Sequence, residues 1–353
     1  MRAAILRNGT MVVDDVAEVS PGPGQVLVET IACGICGSDL HTVDHADQMV
    51  QVAADAGSPV FDFDPAKDLV MGHEVSVRVL ESGAGVDGIA AGTAMAAMPS
   101  LTTDRGRVIP GYDNIYPGGY CERMLLDPGA LLPVPNGLDP AVAALTEPMA
   151  VGLNAVNQSS VEPGRAAIVI GAGPVGLSVI ASLTIAGIEP IVAADLSPRR
   201  RALAADLGAH VVVDPGQAAT RQEGFDATVQ AWSEHEPGDV PPVVFEAVGV
   251  PGMIEMAMTG TPAGSELLVV GVCMEHDRFR PMMGIMKNLS IRFVLGWTAE
   301  EFATSLHHLA EGRIDGSKLI TANVGLDDVP DAFAQLANPE EHVKILVRPN
   351  GVG

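Results

Sequence analysis

Apolar and polar positions change their rhythm at about residue 163 of the chain. Beyond it, short runs such as 166–170 and 190–194 are apolar at every position and rich in β-branched residues. Continuous apolar runs of this length are typical of strands that are buried on both faces of a parallel sheet. The segments 174–186 and 197–208, which follow these runs, have helical patterns. The alternation of strand and helix predicts an α/β fold with a doubly wound parallel sheet.

The first third of the chain is instead predicted to be rich in strands, with little helix. Its main strand candidates are segments 11–13, 25–31, 75–80 and 120–126. Beyond residue 287 the pattern is mixed, with a helix predicted after the capping box 298–301 and a strand at 342–348. We expect this tail to rejoin the β-rich part. The predicted domains are therefore residues 1–148 with 288–353, and residues 149–287.

Charge and cysteine content exclude several classes of partner. The chain has 20 lysine and arginine residues against 44 aspartate and glutamate residues, a formal net charge of −24. Such a field repels nucleic acid and anionic membrane surfaces, so neither is expected as a partner. The four cysteines lack disulfide-scaffold spacing and the N-terminus lacks a signal-peptide pattern, so a cytoplasmic protein is expected. Glycine and proline interrupt the uncharged run 166–188, which argues against a membrane span.

The turn after the first buried strand carries the pattern Gly-x-Gly-x-x-Gly at residues 171–176. It follows a predicted strand, opens a predicted helix and precedes an aspartate at the end of the next strand, as in a dinucleotide-binding fingerprint. The glycines allow a tight turn, close approach of a pyrophosphate and close packing of helix on strand. The predicted contact residues are Gly171, Gly173, Pro174, Val175, Gly176, Asp195 and Arg200.

Asp195 is predicted to choose between the two nicotinamide cofactors. Its carboxylate should accept hydrogen bonds from the adenosine ribose hydroxyls, whereas a 2′-phosphate would face a negative charge. The sequence therefore favours NAD over NADP. Arg199 and Arg200 lie nearby and weaken this preference, although charge runs of this kind are more often solvated helix faces.

A second set of candidate residues lies in two short stretches, 33–41, which is predicted to form a loop, and 72–74. Cys36 and His73 are ligand types that suit Zn²⁺, and a catalytic zinc would need a third protein ligand and an open position. From these residues alone, other interpretations remain open. Cys33 and Cys36 have the spacing of a redox-active pair, and the cysteines and His73 could also be ordinary core residues.

With both patterns present, the chain resembles the medium-chain dehydrogenase/reductase family, and within it the zinc-dependent alcohol and polyol dehydrogenases. The motifs that carry the resemblance extend over nearly the whole length: 34–41, 72–74, 118–120, 147–152, 171–176 and the strand-forming tail. The resemblance implies a GroES-like β-rich catalytic domain and a Rossmann dinucleotide-binding domain. It implies hydride transfer between an alcohol, secondary or polyol-like, and NAD, which gives a ketone or an aldehyde.

The resemblance also assigns roles to single residues. Cys36 and His73 match the ligands of the catalytic zinc, and Glu147 matches the third protein ligand. Glu74 matches a carboxylate that lies beside the zinc and can enter its coordination shell. Asp39 matches the acceptor that orients the zinc-bound imidazole.

Ser38 and His41 match the proton relay of the family, through which the hydroxyl proton of the alcohol would reach solvent. The family also implies a homodimer or a homotetramer. Met282, Met283 and Met286 could line a pocket or a subunit contact, although core packing is the usual role of methionine.

The chain departs from the family pattern in two places. The region 98–118, where many members carry four cysteines around a structural zinc, contains no cysteine. We therefore expect one catalytic zinc and no structural zinc per subunit. The connection at 42–70 is long. It could form a wall or lid of a pocket, or it could be an ordinary surface loop.

Two other functions remain possible from the sequence. One is a zinc-free quinone or enoyl reductase of the same superfamily, against which Cys36, His73 and Glu147 argue. The other is a non-catalytic NAD-binding protein, which would bind the dinucleotide without turnover.

Overall fold

The computed structural model describes residues 1–135, 137–235, 240–336 and 342–351. The chain divides into two compact units. The first unit comprises Met1–Glu147 and Leu306–Gly353, and the second comprises Pro148–Ser305. The segment 288–305, which the sequence pattern placed with the first unit, thus belongs to the second.

The elements follow the chain in three groups. The N-terminal part contains β1 (Arg2–Arg7), β2 (Thr10–Asp15), β3 (Val26–Gly34), α1 (Gly37–Asp55), β4 (Glu74–Ser82), β5 (Ala94–Ala97), β6 (Leu101–Thr103), β7 (Gly106–Val108), β8 (Arg123–Leu126), β9 (Leu131–Pro133) and α2 (Thr146–Asn157). The middle part contains β10 (Ala167–Ile170), α3 (Pro174–Ile185), β11 (Ile191–Ala194), α4 (Pro198–Asp206), β12 (Val211–Val213), α5 (Arg221–His235), β13 (Val243–Glu246), α6 (Met253–Gly260), β14 (Glu266–Val269), α7 (Pro281–Lys287) and β15 (Ser290–Phe293). The tail contains α8 (Ala299–Ala310), β16 (Ile320–Val324), α9 (Val329–Leu336) and β17 (Lys344–Val347).

The first unit is built on a mixed sheet with β3 near its centre. Over the described ranges the strand order is β16-β17-β3-β4-β5-β9, and β8 also pairs with β3. Side chains along β3 alternate between buried and partly exposed, as expected when one face of a strand packs on a core. Val28 from β3, Val77 from β4 and Ile345 from β17 meet in that core. The tail strand β17 therefore completes the N-terminal sheet, although more than 300 residues separate it from β3.

The stretch after β3 is helical, so the expectation of a loop there is wrong. Cys36 occupies the residue before the first turn of α1, and the Asp39 carboxylate accepts a hydrogen bond from the Cys36 backbone N–H at 2.9 Å. A carboxylate in the first helical turn accepts a hydrogen bond from a free backbone N–H, and its negative charge interacts favourably with the positive end of the helix dipole. Ser38, Asp39 and His41 consequently project from a helix, which has non-helical backbone angles at His45.

The second unit contains a parallel sheet in the order β12-β11-β10-β13-β14-β15. This is the strand order of a doubly wound dinucleotide-binding fold, so the predicted α/β class is confirmed. The final strand explains the difference from the predicted boundary, because Ile291 pairs in parallel register with Leu267 of β14. The hydrogen bonds of that pairing hold the segment after residue 287 in this sheet.

None of the helices in the described part of the chain is long and apolar enough to cross a lipid bilayer.

Candidate metal and cofactor sites

The pairing of β3 with β4 brings the two candidate metal-binding stretches together. Gly34, at the end of β3, lies opposite Glu74, at the start of β4. Cys36 lies just after the end of β3, and His73 lies just before the start of β4. Both residues are therefore at the same end of the strand pair. The ligand atoms of Cys36, His73 and Glu74 all lie within 4.8 Å of one another. Zinc bonds of about 2.0–2.3 Å place tetrahedral ligand atoms roughly 3–4 Å apart. Atoms within 4.8 Å of one another need only small side-chain movements to reach that spacing, and a thiolate, an imidazole and a carboxylate are ligand types that zinc accepts.

The Glu74 side chain can occupy its position only because residue 34 has no side chain. A Cβ atom built on Gly34 would lie 1.8 Å from Oε2 of Glu74, which no packing tolerates. Glycine at this position therefore lets the carboxylate pass against the end of β3 toward Cys36.

Asp39 lies between His73, the candidate metal ligand, and the buried Tyr120. Its Oδ1 faces Nδ1 of His73 at 3.5 Å, and its Oδ2 accepts a hydrogen bond of 2.6 Å from the Tyr120 hydroxyl. Asp39 Oδ1 and His73 Nδ1 are both buried without a closer hydrogen-bond partner. With Nδ1 turned to this carboxylate, Nε2 of His73 is the nitrogen left for a metal, which is the usual arrangement of a ligating histidine.

Lys344 is a site residue that the sequence interpretation missed. Its ammonium group donates to both carboxylate oxygens of Glu74, at 2.7 and 2.8 Å, and to the backbone oxygen of Ile35 at 3.0 Å. The side chain is 2% exposed. Burial by itself lowers the pKa of Lys344, but the neighbouring Glu74, Cys36 and Glu147 outweigh it and the pKa is raised. Lys344 is thus a buried cation beside the candidate metal ligands.

The pairing of β17 with β3 places Lys344 there. Leu346 lies opposite Gly34, and the antiparallel register extended by two residues puts Lys344 opposite Cys36. A single lysine in the otherwise apolar strand 343–347 was the one sequence signal that could have indicated this role.

Glu147 is the second residue of α2, in its first turn, and is 9% exposed. It does not belong to the close group formed by Cys36, His73 and Glu74. Its carboxylate is nevertheless near enough to Lys344 to contribute to the raised pKa of that lysine. Glu147, the fourth predicted metal-site residue, therefore lies near the same buried cation as Glu74 and Cys36.

The two residues predicted to move protons both lie on α1. The Ser38 hydroxyl accepts a hydrogen bond of 3.0 Å from the hydroxyl of Tyr112. Burial lowers the pKa of His41, and the neighbouring His45 lowers it further, which favours the neutral imidazole. A neutral imidazole can accept a proton and pass it on.

Cys33 differs from the candidate site residues in the chemistry of its thiol. It is fully buried, and burial raises the pKa of its thiol well above the ordinary value. A redox-active cysteine pair requires a low thiol pKa and access for a reaction partner. The environment of Cys33 thus argues against the redox interpretation of the C-x-x-C spacing.

The glycine-rich turn of the second unit joins β10 to α3. A Cβ on Gly176 would lie 1.9 Å from the backbone oxygen of Gly171, so the helix packs on the turn only because residue 176 is glycine. Asp195 follows β11, and its carboxylate accepts hydrogen bonds from the backbone N–H groups of Ala172 at 2.7 Å and Ser197 at 2.8 Å. Each carboxylate oxygen retains a lone pair for a further donor.

Arg200 lies beside the same turn. A Cβ on Gly173 would lie 3.7 Å from its guanidinium group, and the buried Nε atom of Arg200 has no hydrogen-bond partner. Pro174 and Val175, at the start of α3, are partly exposed at the mouth of the turn. The predicted cofactor residues are therefore neighbours in space around one helix N-terminus, a favourable position for a phosphate group.

Comparison with known proteins identifies the family. A model of the alcohol dehydrogenase GroES-like domain matches residues 22–136, and a model of the zinc-binding dehydrogenase family matches residues 174–311. The chain is 32% identical over 347 residues to (R,R)-butanediol dehydrogenase of Bacillus subtilis, with 96% of each chain covered. The chain belongs to the zinc-type alcohol dehydrogenases of the medium-chain dehydrogenase/reductase family. The resemblance seen in the sequence motifs is thereby confirmed.

Further members of this family are similar over the whole length. Sorbitol dehydrogenase of Bacillus subtilis is 25% identical, covering 99% of this chain and 98% of its own. The crystal structure of 2R,3R-butanediol dehydrogenase from Bacillus subtilis matches with a TM-score of 0.81 and 31% identity, covering 99% of both chains. A zinc-binding dehydrogenase from Sinorhizobium meliloti 1021, solved with NADP, matches with a TM-score of 0.80 and 25% identity, also covering 99% of both chains. These full-length matches confirm an enzyme of the zinc-type, nicotinamide-linked alcohol dehydrogenase class.

Proposed function

We propose that this enzyme transfers hydride reversibly between a secondary alcohol that carries a second hydroxyl group, as in a diol or polyol, and NAD. The observation that carries the proposal is the close group of Cys36, His73 and Glu74 in a member of the zinc-type alcohol dehydrogenases. The relatives named for butanediol and sorbitol both act on compounds with neighbouring hydroxyl groups, which supports this substrate class.

The proposed metal ligands are Cys36, His73 and Glu147, with Glu74 as the neighbouring carboxylate that can enter the shell. Zinc, when bound, supplies a Lewis acid that favours the deprotonated form of a substrate hydroxyl. Asp39 Oδ1 lies 3.5 Å from Nδ1 of His73, where it can orient the ring, and Lys344 donates to both carboxylate oxygens of Glu74. The lysine also offsets part of the negative charge of a thiolate and two carboxylates, which lowers the cost of gathering them in one buried place.

Ser38 and His41 are the proposed path for the substrate proton. Ser38 Oγ accepts the proton of the substrate hydroxyl and donates its own proton onward. His41, whose pKa is lowered by burial, receives a proton as the neutral imidazole and releases it to solvent. The nicotinamide cofactor, when bound at the turn 171–176, would supply the hydride acceptor for the alcohol carbon.

A substrate screen with metal analysis tests the proposed function. Purified enzyme would be assayed with NAD⁺ against vicinal diols, polyols, simple secondary alcohols and primary alcohols, with zinc measured per subunit in the same preparation. We expect the highest kcat/KM for a vicinal diol or polyol and one zinc per subunit, without a structural zinc. Turnover of quinones or enones without zinc would instead indicate a zinc-free reductase, and dinucleotide binding without any turnover would indicate a non-catalytic protein.

The cofactor preference is proposed to rest on Asp195. Replacing Asp195 with glycine while Arg199 and Arg200 are retained should lower the ratio of kcat/KM with NAD to kcat/KM with NADP by about 10- to 100-fold. The reason is that hydrogen bonds to a charged group contribute about 1.5–3 kcal/mol, and each 1.4 kcal/mol is about tenfold. Initial rates with both cofactors at one alcohol concentration measure the ratio.

Asp195→Asn is the matched control for that change. It keeps one oxygen for the backbone N–H of Ala172 or Ser197 but removes the negative charge that opposes a 2′-phosphate. It should therefore shift the ratio in the same direction by a smaller factor. An unchanged ratio in both variants would remove Asp195 from the proposed role.

We further propose that the enzyme is a cytoplasmic homodimer or homotetramer whose subunits meet at β15. This strand pairs with β14 on one side and forms the edge of the parallel sheet. Large apolar side chains near it are exposed: Phe293 66%, Leu295 75%, Met282 61%, Ile285 72% and Met286 71%. An open strand edge beside exposed apolar side chains suits a symmetric contact with a second copy.

Charged substitutions at that edge should dissociate the oligomer. The double variant Phe293→Lys and Leu295→Lys is expected to shift the mass measured by light scattering from two or four subunits to one. Val212→Lys, on β12 at the opposite edge of the same sheet, is the control and should leave the mass unchanged. An oligomer that persists in the double variant would place the subunit contact elsewhere.

A further inference from the structure

An aromatic ring packs beside one of the proposed metal ligands, and two further rings pack on it. The ring of Tyr112 lies 5.4 Å from the ring of His73, centroid to centroid. Phe61 packs edge-on against Tyr112 at 4.8 Å, and Phe63 stacks on it at 6.4 Å. Only 4% of the chain is aromatic, so Tyr112 with Phe61 and Phe63 packed on it forms a distinct aromatic wall. Phe61 and Phe63 lie in the long connection before β4, which supplies this wall.

The Tyr112 hydroxyl is directed at a residue of the proposed proton path. It donates a hydrogen bond of 3.0 Å to Ser38 Oγ, and Tyr112 is only 6% exposed. A serine hydroxyl has one donor and two acceptor positions. With one acceptor position filled by Tyr112, the other remains for a substrate hydroxyl, and the single Ser38 proton must point elsewhere. The hydrogen bond therefore sets the direction in which Ser38 can pass a proton.

The segment that carries Tyr112 is held by polar contacts on both sides. The buried carboxylate of Asp113 accepts hydrogen bonds from Arg105 at 2.7 Å and from the backbone N–H of Ile115 at 2.7 Å. The side chain of Asn114 makes three hydrogen bonds with the backbone of Asp64 and Asp68 in the long connection. The position of the Tyr112 hydroxyl is therefore set before any substrate binds, which is a requirement of an accurate catalytic arrangement.

We propose that Tyr112 is a positioning residue for proton transfer, which acts by orienting the Ser38 hydroxyl and stabilising the partial negative charge on Oγ as its own proton leaves and the substrate proton replaces it. The inference rests on the proposed alcohol oxidation and extends it to a residue outside the sequence motifs. Ordinary core packing would require the ring of Tyr112 but not its hydroxyl.

Removing that hydroxyl alone distinguishes the two roles. Tyr112→Phe should lower kcat for diol oxidation about tenfold, which corresponds to one hydrogen bond of about 1–1.5 kcal/mol in the transition state. The KM for NAD, the zinc content and the urea midpoint of unfolding should stay close to those of the wild type. Tyr116→Phe is the control, because this tyrosine lies in the same segment, its ring packs near Arg105, and it makes no hydroxyl contact with Ser38.

A double-mutant cycle with Ser38→Ala completes the test. If Tyr112 acts through Ser38, Tyr112→Phe should have little further effect on kcat once the serine hydroxyl is gone. A wild-type kcat in Tyr112→Phe, or an equal loss with and without Ser38, would overturn the inference while the proposed function stands. A wild-type enzyme that oxidises no alcohol would overturn both.

Discussion

Cys36→Ser should lose its metal and, with it, at least about a thousandfold in kcat/KM for alcohol oxidation. A thiolate is a far stronger zinc ligand than a serine hydroxyl, which stays protonated at neutral pH. Loss of Lewis-acid chemistry removes several kcal/mol from transition-state stabilisation, and each 1.36 kcal/mol is about tenfold in rate. Zinc per subunit, determined with a chelating dye after unfolding, and kcat/KM from initial rates are the two measurements.

Cys273→Ser is the control for that experiment, because Cys273 is a partly exposed free cysteine in the second unit. It should keep full metal content and activity. Cys33→Ala adds a second comparison, since Cys33 completes the C-x-x-C spacing but is buried with a raised thiol pKa. Full zinc in Cys36→Ser, or equal zinc loss in Cys33→Ala, would contradict the proposed ligand set.

Lys344→Met is expected to lower the free energy of unfolding by about 3–5 kcal/mol, a large part of the total for a typical domain. The substitution leaves the Glu74 carboxylate buried without the cation that contacts both its oxygens. A buried charge without a partner costs far more than an exposed one, because it has lost both water and counterion. Urea unfolding followed by circular dichroism measures the change.

The controls for Lys344 use a second ion pair and a second substitution. Lys67→Met breaks an exposed pair with Asp64, 3.1 Å apart, and should cost at most about 1 kcal/mol. Lys344→Met combined with Glu74→Gln removes both charges and should recover much of the loss. If Lys344→Met and Lys67→Met unfold at the same urea concentration, the buried pair does not stabilise the first unit as argued.

The cofactor-binding fold could be predicted in detail because its signals are local. A strand buried on both faces must be apolar throughout, and the turn that follows β10 needs glycine where helix and backbone touch, as at Gly176. These requirements involve residues within about ten positions of one another, so a short segment of sequence is enough to show them. The edge strand β15 gives only a weak local signal, because it has four residues and a partly polar pattern. Its pairing with β14 depends on a partner that lies more than 20 residues earlier.

The candidate metal site was predictable in residue type but not in arrangement. Cys36 and His73 have suitable ligand chemistry in any fold, whereas their proximity depends on the register that sets Gly34 opposite Glu74. The start of α1 is capped by the hydrogen bond from the Cys36 N–H to the Asp39 carboxylate. A different register would have separated the same residue types.

The amino-acid sequence by itself determined the class of this protein, because ligand chemistry, the dinucleotide fingerprint and the net charge are properties of residues and short segments. Only the tertiary structure decided which residues surround those motifs. Lys344 meets Glu74 across 270 positions of the chain, and Tyr112 meets Ser38 across 74. Such contacts follow from sheet register and loop packing, in which the whole core takes part, so no local pattern can specify them.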